Sequence, residues 1–267
     1  MLIAAAVCPH PPLLVPEVTG ASDPAVRELR RLRTACGDAV AALLGPAPDL
    51  LVVVGGAGQT AEYPTTAGGS LRDFAVPFTV GDDPVLPLSL TIGKWLLAGT
   101  VSPSPPVTWQ GIDSGAAAAD CVSLGEKLAA LAPRVALLAM GDGPGRRARG
   151  VPGATDSEAD RYDDQVSAAL AGADPGALAA LDPRHDQELF VAGRAAWQVL
   201  AGAASAGAFT ADLCYTAAPF EVSYYVATWM RAHLGAWGRA SSPWWERPPP
   251  ASQGWPPSWP SPSAARW

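Results

Sequence analysis

The chain has 267 residues, 49% of them hydrophobic and 16% charged, which suits one large α/β domain or two small ones. A net charge of -7 offers no general positive field to a phosphate backbone, so nucleic acid is not an expected partner. Three histidines (His10, His185, His233) and four dispersed cysteines (Cys8, Cys36, Cys121, Cys214) exclude a C-x-x-C zinc ribbon, a thioredoxin motif and a disulfide framework.

Residues 2–7 are wholly apolar and predict a buried strand, which opens at Pro9 into a loop carrying His10-Pro11-Pro12. Over 23–44, Val26, Leu29, Leu32, Ala35, Ala39 and Leu43 fall three or four apart. With Ser22 or Asp23 as cap and Gly45-Pro46 as stop, they predict a helix. Residues 49–54 predict a second buried strand, followed by Gly55-Gly56-Ala57-Gly58. Fully apolar strands in strand, helix, strand order imply parallel pairing with helices on both faces. Further along, 71–80 reads as a strand or hairpin, 88–98 as a helix, 107–112 as a strand and 116–131 as a helix. Residues 134–140 predict a third buried strand, which ends in Gly141-Asp142-Gly143-Pro144-Gly145. Helices follow over 158–170, 176–181 and 186–203, then strands over 213–216 and 222–228, the second also readable as helix.

The expected fold is a single α/β domain over 1–238, with a mostly parallel central sheet flanked by helices. Residues 239–267 hold eight of the 28 prolines and five of the ten tryptophans without apolar periodicity, so they read as a Pro/Trp-rich disordered tail. A docking peptide, a plain extension and out-of-frame sequence all remain open for it. No run approaches the ~20 apolar residues that span a bilayer, and the apolar start lacks the basic flank of a signal segment. A soluble, reduced, cytoplasmic setting is expected.

In α/β sheets ligands bind at the carboxyl ends of strands, and three strand-end loops carry the candidate chemistry. His10, held between prolines, reads as a loop cap or as a metal ligand or acid/base. Gly55 and Gly56 can admit a substrate by close backbone approach, although their spacing is not the G-x-G-x-x-G of a dinucleotide site. Asp142 is the only carboxylate in these loops and Arg146 follows it; an Asp-Gly turn is the commoner explanation. Asp186 and Glu188 suit the start of a helix through its dipole. His185 sits in the capping segment before them and is expected to be exposed. No G-x-S-x-G nucleophile elbow is present.

Several segments together resemble a known family: A-A-A-V-C-P-H-P-P-L-L-V-P-E (4–17), the strand 49–54 with its glycine loop, A-M-G-D-G-P-G-R-R (139–147), E-L-F-V-A-G-R-A-A-W (188–197) and A-A-P-F-E-V-S-Y-Y-V-A-T-W (217–229). They are similar to the class III extradiol ring-cleavage dioxygenases of subunit-B type and the related Memo-like proteins, over about residues 1–237. The resemblance implies an oxidoreductase in which two histidines and a glutamate hold Fe(II). A catecholic substrate chelates the iron beside O2, and a further histidine is the acid/base. His10 matches the first ligand, and Glu188 is the candidate glutamate. The second ligand position is held by Gly55-Gly56-Ala57 and the acid/base position by 141–146, so two imidazoles are missing.

What the resemblance implies is therefore the dioxygenase fold with an incomplete iron site: His10 and Glu188 toward the metal, Asp142 as the catalytic group, and Gly55, Gly56 and Arg146 toward a small aromatic substrate. It is compatible with a homo-oligomer or a partner subunit. Two other readings stand beside it, a non-catalytic Memo-like module that binds a small molecule or protein in the same cleft, and a metal-independent hydrolase using Asp142.

Overall fold

The computed structural model describes residues 1–18, 25–99, 105–145 and 157–232. Arg146, His233 and the expected tail lie outside them.

The strands are β1 (Leu2–Cys8), β2 (Leu50–Ala57), β3 (Ala61–Tyr63), β4 (Ala67–Ser70), β5 (Thr79–Val80), β6 (Asp83–Pro84), β7 (Val107–Asp113), β8 (Val135–Met140), β9 (Phe209–Ala217) and β10 (Tyr224–Arg231). The helices are α1 (Ala25–Leu44), α2 (Leu88–Ala98), α3 (Ala118–Ala129), α4 (Ser157–Ala171), α5 (Pro175–Ala179), α6 (Arg184–Glu188) and α7 (Arg194–Ala204). Seven strands form one sheet in the order β3-β7-β2-β8-β1-β10-β9, and β5-β4-β6 make a small second one.

The expected α/β class is the observed one, but the sheet is mixed rather than mostly parallel. β7, β2, β8 and β1 are parallel neighbours, whereas β3, β10 and β9 join antiparallel. The reason is local: β3 turns back three residues after β2 and so runs against β7, which is itself parallel to β2, and β9 and β10 are joined by a short loop without the crossover that parallel neighbours need. β10, which was also readable as helix, is a strand. β9 shows alternating exposure, as befits an edge with one face toward solvent.

Alternate side chains of the central strands feed two cores. Val7, Val52, Val54, Leu137 and Ala139 pack with α3, α4 and α7, while Ala6, Cys8, Val53, Leu138 and Met140 pack with α1 and α2. Handedness explains the division. β1 to β2 and β2 to β7 step one way across the sheet over α1 and α2, and β7 to β8 steps back over α3, so right-handed crossovers fall on opposite faces. On leaving the sheet, β1 turns toward the α1 face and β8 toward the α4 face. The carboxyl ends of β1 and β8 therefore flank a topological switch point, where such sheets open a crevice.

Two expectations are refined in detail. Residues 71–80, expected as a strand or hairpin, form the loop and second strand of an antiparallel β4/β5 hairpin, with a 3-10 turn (Arg72–Phe74) inside the loop. The single helix expected over 186–203 is two helices, α6 and α7. The chain breaks between them at Phe190, whose φ of 54° lies in the left-handed region and ends the helical path.

Candidate functional site

Met140, the last residue of β8, stands level with Cys8 of β1 on one side and Gly55 of β2 on the other. The loop beyond it is thereby set against both strand ends, and the Gly141 N–H donates to the Cys8 carbonyl at 2.9 Å. Asp142 then accepts the backbone N–H of His10 on Oδ1 at 2.7 Å, although 132 residues separate the two. His10 Nδ1 lies 3.6 Å from the same oxygen, too far for a hydrogen bond, and is buried with no partner.

The structure thus brings together His10 and Asp142, two of the residues singled out from sequence. Burial raises the Asp142 pKa above the ordinary aspartate value, and the nearby His10 side chain and its N–H pull it back. Tyr224 on β10, which has no distinguishing local pattern, comes near the Asp142 carboxylate. Burial raises its hydroxyl pKa, and the Asp142 charge raises it further. Only the register of β10 beyond the end of β1 places it there.

Gly55 and Gly56 lie inside β2 rather than in a loop after it. A Cβ on Gly55 would stand 2.5 Å from Ser89 Oγ, the hydroxyl that donates to the Gly56 carbonyl at 2.7 Å. A Cβ on Gly56 would stand 2.9 Å from Ser114 Oγ. Close approach by the protein's own serines is a sufficient reason for both glycines. At Gly141 a Cβ would meet the Gly193 Cα at 2.5 Å, so this loop is pressed onto the start of α7.

Glu188 is drawn into a different group. Its carboxylate clusters with Glu158 and His185, and among the described residues no set of three histidine, cysteine or carboxylate ligands includes His10. His10 and Asp142 are two donors, one of them already engaged by a backbone N–H, and do not fit the three-ligand Fe(II) centre that the resemblance implies. His185, expected to be exposed, is about one-third exposed, lies 3.5 Å from a Glu158 carboxylate oxygen and meets the Tyr162 ring edge-on.

Arg194, which had no role in the sequence reading, is the anchor of this end of the molecule. Its fully buried guanidinium donates to Asp186 at 2.5 Å, to the carbonyls of Ser114 at 2.7 Å and Ala116 at 2.8 Å, and to Gln198 Oε1 at 2.7 Å. It joins the β7 exit loop to α6 and α7.

The Asp142 environment carries a pH signature. A carboxyl with a raised folded-state pKa binds its proton more tightly folded than unfolded, so stability falls as pH rises from the ordinary aspartate value through the raised one. Asp142→Asn keeps an oxygen for the His10 N–H and removes the titration. Urea melts across that range should show the fall in the parent chain and its absence in the variant; parallel profiles would contradict the raised carboxyl pKa.

Among solved structures, the chain is similar to the crystal structure of an uncharacterized protein, JW3007, from Escherichia coli K12. The two are 17% identical with a TM-score of 0.44, over 85% of this chain and 99% of that one. No protein-family profile matches the chain, and no curated protein matches it. No helix among the described residues is long and apolar enough to cross a membrane.

Proposed function

We propose that the crevice between β1 and β8 binds a small phenolic or catecholic molecule through His10 and Asp142, without iron and without ring cleavage. The chain would then be a non-catalytic relative of the extradiol dioxygenases. The observation that carries this reading is His10 Nδ1, buried without a hydrogen-bond partner, beside the part-buried Asp142 carboxyl. An unmet buried polar atom at a switch-point crevice favours a polar ligand group. The donor set favours binding over metal chemistry, since two donors are one short of a facial triad. A cytoplasmic setting is part of the proposal, supported by four free cysteines of which three are buried.

The test is anaerobic loading with Fe(II), desalting, and exposure of the protein to catechol in air. We expect substoichiometric iron, no yellow ring-fission product, and saturable catechol binding by calorimetry. His10→Ala should weaken that binding about tenfold, the loss of one strong hydrogen bond. Stoichiometric iron lost in His10→Ala, together with the yellow product, would establish a ring-cleaving enzyme instead. Catechol binding that is absent, or indifferent to His10→Ala, would overturn the reading.

A further inference from the structure

We propose that Glu158, His185 and Glu188 form a divalent-cation site of the zinc or manganese type, separate from the His10 crevice and independent of the function assigned to it. His185 and Glu188 are three residues apart on α6, which puts them on one helix face. Glu158, in the first turn of α4, comes up against that face. One ligand atom from each of the three lies within 4.8 Å of the others, and His185 Nε2 is 3.5 Å from Glu158 Oε1.

An imidazole and two carboxylates are a donor set that suits borderline first-row divalent ions. A cavity of about 280 Å³ adjoins the cluster, lined by Glu158, Arg161, Tyr162, Gln165 and His185. Tyr162 is 3% exposed, and its hydroxyl is buried with no hydrogen-bond partner. Three protein ligands beside an open cavity leave coordination room for water or an exogenous ligand, the arrangement of an open rather than a closed metal site.

The site differs from the iron centre that the resemblance implies: it has one histidine instead of two, and it takes Glu188 away from His10. The experiment is calorimetric titration of the full chain with Zn²⁺ and, separately, Mn²⁺. We expect one ion per chain for at least one metal. Glu188→Gln, at an exposed position, should weaken binding by about tenfold or more, and so should His185→Ala. His10→Ala should leave binding unchanged, which separates this site from the crevice. Thermal melts of the metal-free variants show whether each remains folded, and Glu188→Gln carries the test if His185→Ala does not. Absence of saturable binding of either ion, binding that survives Glu188→Gln at full affinity, or binding lost with His10→Ala would each overturn the proposal.

Discussion

Arg194→Met is expected to destabilise the protein by about 3–5 kcal/mol, the cost of leaving a buried partner charge uncompensated. At about 2–4 °C per kcal/mol for a domain of this size, the melting temperature should fall by roughly 6–20 °C. The guanidinium is fully buried, and its partner carboxylate is mostly so. Asp186 already sits where burial raises its pKa, and Arg194 is the group that draws it back down. Removing the arginine also deprives the Ser114 and Ala116 carbonyls and Gln198 Oε1 of a donor. Pairing Arg194→Met with Asp186→Leu should recover part of the loss, because a buried ion pair exchanged for apolar groups is often close to neutral. A single-variant loss under about 1 kcal/mol, the level of an exposed pair, would show that the pair is solvated. Since Asp186 belongs to α6, the single variant should also loosen the frame that carries His185 and Glu188.

Gly125→Ala is the second large effect, and its sign is opposite to what helix propensity predicts. In an open helix interior, alanine for glycine is favourable by about 1 kcal/mol. Here a Cβ on Gly125 would stand 1.9 Å from the Val199 carbonyl oxygen, and one on Gly202 would stand 2.0 Å from that of Val122. Each glycine of the α3/α7 contact thus lies against the other helix's backbone, which cannot rotate away as a side chain can. The helices would have to separate, at a cost of about 2–3 kcal/mol or more. Gly37→Ala on α1 is the control. Nothing lies within 4 Å of a Cβ there, so this change should stabilise by about 0.5–1 kcal/mol. Denaturant melts of the two variants should move in opposite directions, and a Gly125→Ala variant as stable as the parent would refute the close contact.

Continuous apolar runs made β1, β2 and β8 legible, because a strand buried on both faces has no polar position to disguise it. α1 was legible from its three-and-four spacing and its Gly45-Pro46 stop. The break between α6 and α7 was not, since apolar spacing runs on through it and the left-handed Phe190 has no glycine to announce it. Nor was the antiparallel half of the sheet legible. β10 pairs with β1 more than two hundred residues away, and no local pattern encodes that partner.

The candidate sites divide in the same way. His10 and Asp142 stood out because each follows a predicted buried strand, and strand ends on a sheet edge are where ligands gather. Tyr224 entered only through the register of β10. Glu158, His185 and Glu188 each have a sufficient local explanation as residues of helix starts, so nothing in their neighbourhoods suggested a group.

Residue pattern alone establishes the α/β class, the buried strands and the scarcity of histidine, because hydrophobic period and residue counts are local properties of the chain. Which side chains share a site is decided by the tertiary structure, since crossover handedness and strand register set the distances between residues far apart in sequence. The His10–Asp142 contact spans 132 residues, and it exists because β1 and β8 are neighbours in the sheet. The same assembly places Glu188 beside Glu158 and His185 instead of beside His10.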